Sequence, residues 1–217
     1  MHKELELLLP LLQKSEKSQM AGCEFYRGKM GRHDVIAMQC GIGKVNAAMG
    51  TLTLVNAFLP DFVINSGVAG GADKSVHVMD VVLGTRVAYH DVWCGPESKL
   101  GQVQGLPLHF EGSKRLLDLV PDRDDIHKGL ICSGDQFIDK MNDVKRIKGN
   151  FPEALAVDME SGAIAQVCYK SNVPFLALRV ISDSPGASHD NTKQYLDFWQ
   201  DAPQETFTLL RDIISKL

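Results

Sequence analysis

The sequence lacks the features that mark membrane, secreted and nucleic-acid-binding proteins. Its longest stretch without a charged residue, positions 45 to 60, has about 16 residues and includes Asn46, so it is too short and too polar to span a membrane. Lys3, Glu4 and Glu6 interrupt any signal-peptide h-region. The 23 basic residues are offset by 27 acidic ones, which leaves a net charge of −4 and no positive field for nucleic acid. We therefore expect a small-molecule partner, with no nucleic acid and no membrane.

Cysteine and histidine show no pattern of a disulfide framework or a metal site. The five cysteines are odd in number, far apart and mostly in apolar stretches, where a reduced cysteine behaves as a small hydrophobic residue. They are Cys23, Cys40, Cys94, Cys132 and Cys168. No CxxC or HExxH spacing occurs among them and the seven histidines. The pattern predicts a protein of the reducing cytoplasm that binds no metal.

The sequence also lacks the known phosphate-binding motifs and a clear catalytic pair. Gly43-Lys44 resembles the end of a P-loop, but that motif needs a glycine where this chain has Met38. The same segment lacks the third glycine of a dinucleotide-binding turn, because Asn46 stands there. The pair His90-Asp91 is better explained as polar residues at a strand exit than as a base with its carboxylate, since adjacent side chains rarely face each other.

What the sequence does have is a regular alternation of short β-branched runs with helical patterns, typical of an α/β fold in which a mostly parallel sheet is covered by helices. The length of 217 residues and the 44% apolar content suit one such domain. The patterns predict helices over 3–14, 45–59, 160–170 and 194–216, and strands over 23–26, 34–40, 62–65, 81–89, 129–132, 155–157 and 175–181. Residues 90–107 form the longest predicted loop, and long loops in compact domains are often functional.

Two local expectations follow from these patterns. The helix over 45–59 carries an apolar stripe at three- and four-residue spacing, which predicts a face packed on the sheet. The stripe consists of Val45, Ala48, Met49, Leu52 and Val55. The glycine-rich segment 66–71 predicts a turn after the strand that ends at Asn65.

Four segments place small or acidic residues where an apolar strand ends, the position at which open α/β sheets bind ligands. They are 40–45, 65–71, 157–160 and 179–183, with the sequences CGIGKV, NSGVAGG, VDME and RVISD. With SGDQFI at 133–138 and NFP at 150–152, they resemble the 5′-methylthioadenosine/S-adenosylhomocysteine nucleosidases of the nucleoside phosphorylase superfamily. The resemblance covers nearly the whole chain. It implies one nucleoside phosphorylase-like domain over 1–217, of three-layer α/β/α architecture with a central mixed sheet.

The resemblance also implies an activity. The expected protein is a cytoplasmic homodimer of the methionine salvage pathway. It uses no cofactor and hydrolyses the N-glycosidic bond of its nucleoside. Such a reaction needs a proton for the leaving base, stabilisation of the cationic sugar and an activated water. The family pattern puts Asp183 in the first role, with support from Ser182. It places Glu160 at the ribose hydroxyls and Glu4 at the water. From the residues alone, Asp183 is better explained as a turn or N-cap residue before Pro185, and Glu160 as a first-turn acid that favours the helix dipole.

The remaining expected site residues also come from the resemblance. Phe137 stacks on the base, Ile138 offers backbone groups to its edge, and Met159 packs beneath the sugar. Ile42 and Val68 form an apolar wall, and Tyr195 and Phe198 close that side. Asp158 is a structural support. Arg179 tunes Asp183 or positions the helix bearing Glu160. Each apolar member is alternatively core filler.

Two segments depart from the family pattern. Relatives have a strand of about seven or eight residues before the Ala-Met-x-x-Glu segment that Glu4 matches, and an absent strand leaves sheet backbone groups unpaired. Either an upstream segment or another element fills that gap, or Glu4 is poorly held. The loop after His90 also differs. In the family this loop reaches the neighbouring subunit's pocket, so Trp93 and Cys94 are expected to tune the preference for the 5′-substituent.

Water is favoured over phosphate as the nucleophile. Related phosphorylases carry an arginine two residues before the turn glycine, where this chain has Asn65, and Val68 replaces a small polar residue after it. Lys3 and Lys44 are the remaining candidates for phosphate, although solvated helix-start lysines explain them better. Three alternatives stay open: a nucleosidase with another 5′-group such as futalosine hydrolase, a purine nucleoside phosphorylase, and a noncatalytic nucleoside-binding protein.

Overall fold

The structure is a computed structural model that describes residues 2–185, 198 and 204–217. Its helices are α1 (His2–Leu8), α2 (Lys44–Phe58), α3 (Lys114–Leu117), α4 (Met141–Asn150), α5 (Ser161–Ser171) and α6 (Gln204–Ser215), with a 3-10 turn at Leu9–Leu11. Its strands are β1 (Gln13–Met20), β2 (Cys23–Met30), β3 (His33–Met38), β4 (Val63–Gly71), β5 (Val81–Tyr89), β6 (Phe110–Glu111), β7 (Ile126–Ser133), β8 (Ala154–Asp158) and β9 (Phe175–Asp183).

Six strands form a mixed sheet in the order β6-β5-β7-β8-β4-β9, and β5 also pairs with β9. The pairs β5–β7, β7–β8 and β4–β9 are parallel, while β5–β6, β4–β8 and β5–β9 are antiparallel. The second contact of β5 therefore curls the sheet back on itself. The carboxyl ends of β4, β8 and β9 meet at one edge, which is where the predicted ligand segments lie.

Helices cover both faces of this sheet, which confirms the predicted three-layer α/β/α architecture. On one face, α2 and α5 pack against the odd-numbered positions of β9, such as Ala177 and Ile181. On the other, α6 packs against Leu178 and Val180, while α4 covers β7 and β8. All nine residues of β9 are buried. A strand covered on both faces reads as a continuous apolar run, which is why the sequence revealed it.

The first predicted helix is too long. It was expected to reach residue 14, but α1 ends at Leu8 and the chain passes through the 3-10 turn into β1. Pro10 explains the break, because proline lacks an N–H and clashes with the preceding helical turn. β1 is polar and exposed, and it is held as a strand by its antiparallel pairing with β2. Backbone pairing thus decided a segment that has no apolar pattern.

The predicted packing face of α2 is wrong. Val45, Met49 and Leu52 are 69%, 53% and 48% exposed, whereas the buried positions are Ala47, Gly50, Thr51, Leu54 and Val55. A Cβ on Gly50 would lie 2.8 Å from Cε of Met38. The helix therefore packs mainly through its smaller side chains, and of the predicted stripe Val55 is buried while Val45, Met49 and Leu52 lie on the surface.

The predicted turn at 66–71 is also wrong, because β4 continues through it to Gly71. The glycines serve close approach instead of turning. A Cβ on Gly67 would lie 2.2 Å from Nη1 of Arg179 and 3.0 Å from Oε1 of Glu4. Glycine at this position thus leaves room for two charged side chains.

β1, β2 and β3 form a separate antiparallel sheet. Among the described residues, β3 pairs only with β2, and residues 63–69 of β4 pair only with β9. The edges of β3 and β4 line a cavity of about 830 Å³ whose other walls come from α1, α2 and α6. The hydroxyls of Thr51 and Ser66 line it without a hydrogen-bond partner in the described structure. Unpaired sheet edges of this kind are what an absent strand was expected to leave.

Candidate active site

A second cavity, of about 150 Å³, lies at the carboxyl ends of β4, β8 and β9. The structure brings together there every predicted site residue of the resemblance whose side chain it describes, with the exception of Phe198. They are Glu4, Ile42, Val68, Phe137, Ile138, Asp158, Met159, Glu160, Arg179, Ser182 and Asp183. Phe198 is buried in the core near Leu209, and Tyr195 lies outside the described residues. Although the cavity beside β3 is larger, Asp158, Glu160, Arg179, Ser182 and Asp183 line the smaller one and not the larger, so we take the smaller cavity as the candidate site.

Asp183 is the last residue of β9 and is only 3% exposed. The Ser182 hydroxyl donates a 2.7 Å hydrogen bond to its Oδ1. Burial raises the pKa of Asp183 to about 6, since desolvation disfavours the charged carboxylate more than the Ser182 hydrogen bond stabilises it. A buried strand residue is not a turn cap, so the structure opposes that alternative. Asp183 can hold a proton close to neutral pH.

Glu160 precedes α5 and makes no capping hydrogen bond with it. Its Oε1 instead accepts a 3.0 Å hydrogen bond from the backbone N–H of Gly43, and Oε2 lies 4.0 Å from Nη2 of Arg179. Burial raises the pKa of Glu160, opposed by the Arg179 charge and the Gly43 N–H, while the Asp158 and Glu4 carboxylates raise it further. The carboxylate is oriented across the cavity by groups from two other segments.

Arg179 is 3% exposed and belongs to a buried polar network beneath the cavity. Its Nε donates to Asp158 at 2.7 Å and its Nη2 to the Ser161 hydroxyl at 3.1 Å, and Asn65 donates to the same hydroxyl. Burial lowers the pKa of Arg179, but the nearby carboxylates outweigh it and leave the pKa raised. Of its two expected roles, the structure supports positioning of Glu160, and no contact joins it to Asp183 in the described structure.

Glu4 reaches the cavity from α1, on the side of the separate sheet. Its Oε1 accepts a 3.2 Å hydrogen bond from the backbone N–H of Val68. It therefore has a defined position although β3 and β4 do not pair. Glu4, Cys40, Asn65 and Ser66 line both cavities, so they form the partition between them.

The apolar side chains that line the cavity differ in their exposure to solvent. Phe137 is 48% exposed and Ile42 is 57% exposed, whereas Ile138 is buried at 5%. An aromatic side chain at the edge of an apolar cavity suits stacking on a planar ligand. Sequence reasoning missed Asp91 and Asp135, whose carboxylates bind the segments that carry these walls. The only signal was their position directly after strands.

Comparison with known proteins shows which proteins the chain is similar to. A family model described as the phosphorylase superfamily matches residues 1–215. A 5′-methylthioadenosine/S-adenosylhomocysteine nucleosidase of Bacillus cytotoxicus is 41% identical over 205 residues, which cover 91% of this chain and 89% of that protein.

Two solved structures are similar over the full length of this chain. A nucleosidase of the same name from Neisseria meningitidis, in complex with methylthio-immucillin-A, has a TM-score of 0.95 and 33% identity, and 96% of that chain is covered. One from Colwellia psychrerythraea, in complex with adenine, has a TM-score of 0.92 and 32% identity, with 92% of that chain covered.

Proposed function

The chain belongs to the phosphorylase superfamily and, within it, to the 5′-methylthioadenosine/S-adenosylhomocysteine nucleosidase family, and from this we propose that it hydrolyses the N-glycosidic bond of those two nucleosides. The products are adenine and the 5-thio-ribose. The observation that carries the proposal is the buried Asp183, with a pKa of about 6, in one cavity with Glu4 and Glu160. No metal or cofactor is needed for such a reaction.

The proposed chemistry assigns one task to each carboxyl group. Protonated Asp183 donates to a ring nitrogen of the departing adenine, which makes the base a better leaving group. Glu160 accepts hydrogen bonds from ribose hydroxyls as positive charge develops on the sugar. Glu4 takes a proton from the attacking water. Met159 packs under the sugar, and Phe137 holds the base by stacking.

Water is favoured as the nucleophile by the charges of the described site. The Val68 N–H, which faces the cavity, is already bound by the Glu4 carboxylate, and a negative group there repels an incoming phosphate. The Lys44 ammonium is 2.8 Å from Asp91 and is thereby neutralised. Asn65 is bound to Ser161. These contacts support hydrolysis over phosphorolysis.

The test is release of the purine base, adenine or hypoxanthine, followed by ultraviolet absorbance in buffer with and without phosphate. Methylthioadenosine, adenosylhomocysteine, futalosine and inosine are compared under identical conditions. We expect turnover of the first two without phosphate. Strict phosphate dependence would assign a phosphorylase, a preference for futalosine would assign the other nucleosidase, and adenine binding without turnover that persists in Asp183→Asn would assign a noncatalytic protein.

The surface of α2 supports the proposed homodimer. Ile42, Val45, Met49 and Leu52 are each about half exposed or more and follow one side of this helix and its preceding turn. Exposed apolar groups so close together are typical of an interaction surface. Trp93, which is 65% exposed, lies in the loop expected to reach the neighbouring subunit. Light scattering of wild type and Met49→Glu tests this, and an unchanged dimer mass in the variant would contradict it.

We further propose one domain over 1–217, a cytoplasmic location and a role in methionine salvage. No helix among the described residues is long and apolar enough to cross a membrane. The domain proposal includes a place for the relatives' first strand between β3 and β4. Adding an extended apolar segment ahead of Met1 is expected to raise the melting temperature, and an unchanged melting temperature would count against this placement.

A further inference from the structure

The turn that begins α2 is joined to two other loops by a closed ring of hydrogen bonds. The backbone N–H of Lys44 donates to Oδ1 of Asp135 at 2.7 Å. The backbone N–H of Asp135 donates to Oδ2 of Asp91 at 2.8 Å. The Lys44 ammonium closes the ring by donating to the same Oδ2 at 2.8 Å. Each residue therefore contacts the other two.

Asp135 is exposed, whereas the other two side chains of the ring are partly shielded from solvent. The side chains of Lys44 and Asp91 are only 25% and 23% exposed, and the ammonium lies 5.4 Å from the ring centroid of Tyr89. Burial raises the pKa of Asp91, but the hydrogen bonds from Lys44 and Asp135 outweigh this and bring the pKa below its ordinary value. A charged, partly buried carboxylate with two donors holds a loop more firmly than exposed pairs do.

Two of the three joined segments carry walls of the candidate cavity. The turn at 41–44 includes Ile42, and the loop at 134–138 includes Phe137. The same turn offers the Gly43 N–H to Glu160 on the sugar side. The ring therefore connects the group that orients Glu160 to the segment that carries the base-stacking side chain.

The fit at the ring leaves little freedom. Gly43 has a φ of 88°, which favours glycine, and a Cβ there would lie 2.9 Å from Oδ1 of Asp135. A shift of Asp135 would therefore move both the start of α2 and the Gly43 N–H. Because only a short stretch of backbone separates the ring residues from the side chains that line the cavity, a shift of the ring moves the cavity walls.

We propose that Lys44, Asp91 and Asp135 are positioning residues that set the separation between the sugar side and the base side of the cavity. This rests on the proposed function. A whole nucleoside contacts both sides at once, whereas free adenine contacts the base side. Loss of the ring should therefore weaken nucleoside binding more than adenine binding, with a small effect on the chemical step.

The first test compares Asp135→Ala with Asp135→Asn, which keeps an acceptor for the Lys44 N–H. We expect Asp135→Ala to raise KM for methylthioadenosine about tenfold, as for one lost charge-assisted hydrogen bond, with kcat within about threefold. Asp135→Asn should have a KM close to that of the wild type. Asp118→Ala, which removes an exposed carboxylate paired with Lys114, is the matched control. A fall in kcat with unchanged KM, or equal effects of the two Asp135 variants, would overturn the proposal.

The second test separates the ring from turnover. Calorimetry in the Asp183→Asn background measures the Kd of methylthioadenosine and of adenine without catalysis, for the Asp135 variants and for Lys44→Met, which keeps the backbone N–H. We expect a larger loss of affinity for the nucleoside than for adenine. Equal losses, or none, would overturn the positioning role. Absence of turnover in wild type would contradict the proposed function while this binding comparison stays decisive.

Discussion

The two neighbouring cavities of this protein differ in how their polar groups are satisfied. In the small cavity Asp183, Glu160 and Glu4 each contact a defined donor. In the large cavity the Thr51 hydroxyl has no partner in the described structure, and the edges of β3 and β4 do not pair with each other; the Ser66 hydroxyl, in the partition between the cavities, also lacks a partner there. Both share one partition. This difference shows that the size of a cavity does not identify a functional site. Charged groups held in place by hydrogen bonds do identify one, because a buried polar group without a partner only lowers stability.

The largest expected effect comes from the small cavity. Asp183→Asn keeps the shape and the Ser182 contact but removes the transferable proton. We expect kcat to fall about 10³-fold, the range of general acid catalysis. Steady-state adenine release measures this, with circular dichroism as the control for folding. A variant that retains more than about a tenth of the activity would show that another group is the acid.

The pH dependence sharpens the same point. If Asp183 must carry a proton, kcat/KM should fall about tenfold per pH unit above about 6. Stability should follow with a definite sign. Because the folded pKa of Asp183 lies above its ordinary value of 3.8, the free energy of unfolding should decrease as the pH rises from about 4 to 6, by up to about 3 kcal/mol. Urea unfolding of wild type and Asp183→Asn at several pH values measures this, and identical slopes would contradict it.

A change at the partition should damage the small cavity through packing. Gly67→Ala places a methyl group 2.2 Å from the Arg179 guanidinium, so we expect a loss of about 2–3 kcal/mol of stability and most of the activity. Gly149→Ala in α4, where nothing lies within 4 Å, is the matched control and should be neutral or stabilising. Similar melting temperatures for the two variants would disprove the close contact.

The smallest expected effect tests the large cavity. Thr51→Val removes a buried hydroxyl that has no partner, so we expect stability to rise by about 1 kcal/mol with unchanged kcat. Ser161→Ala, which removes a hydroxyl bound by Asn65 and Arg179, should lower stability instead. Denaturant titration compares the two. Equal losses in both variants would mean that the cavities do not differ in the way described.

Much of the fold could be predicted from the sequence where one pattern dominates. β5 was predicted at its observed bounds, and β9 nearly so, since a strand buried on both faces gives a mostly apolar run. α2 was predicted within one residue at each end, but its buried face was not, because close packing of Ala47 and Gly50 depends on which neighbour the helix meets. β1 was missed because its pairing partner, and not its composition, makes it a strand.

The candidate site divides in the same way. Resemblance of short motifs identified Asp183, Glu160 and Glu4, which the structure brings to one cavity. It did not reveal that Arg179 pairs with Asp158, nor that Asp91 and Asp135 hold the cavity walls. Such contacts join residues far apart along the chain, and a single sequence has no local signal for them.

The sequence by itself determined the class of fold, the strand ends at which polar residues collect and the absence of a metal or phosphate motif, since these depend on residue type and spacing alone. Only the tertiary structure decided which side of α2 is buried, which carboxyl group holds a proton near neutral pH and which loops are tied together. Burial, desolvation and hydrogen bonding depend on what surrounds a group in space, and that is fixed when distant segments meet.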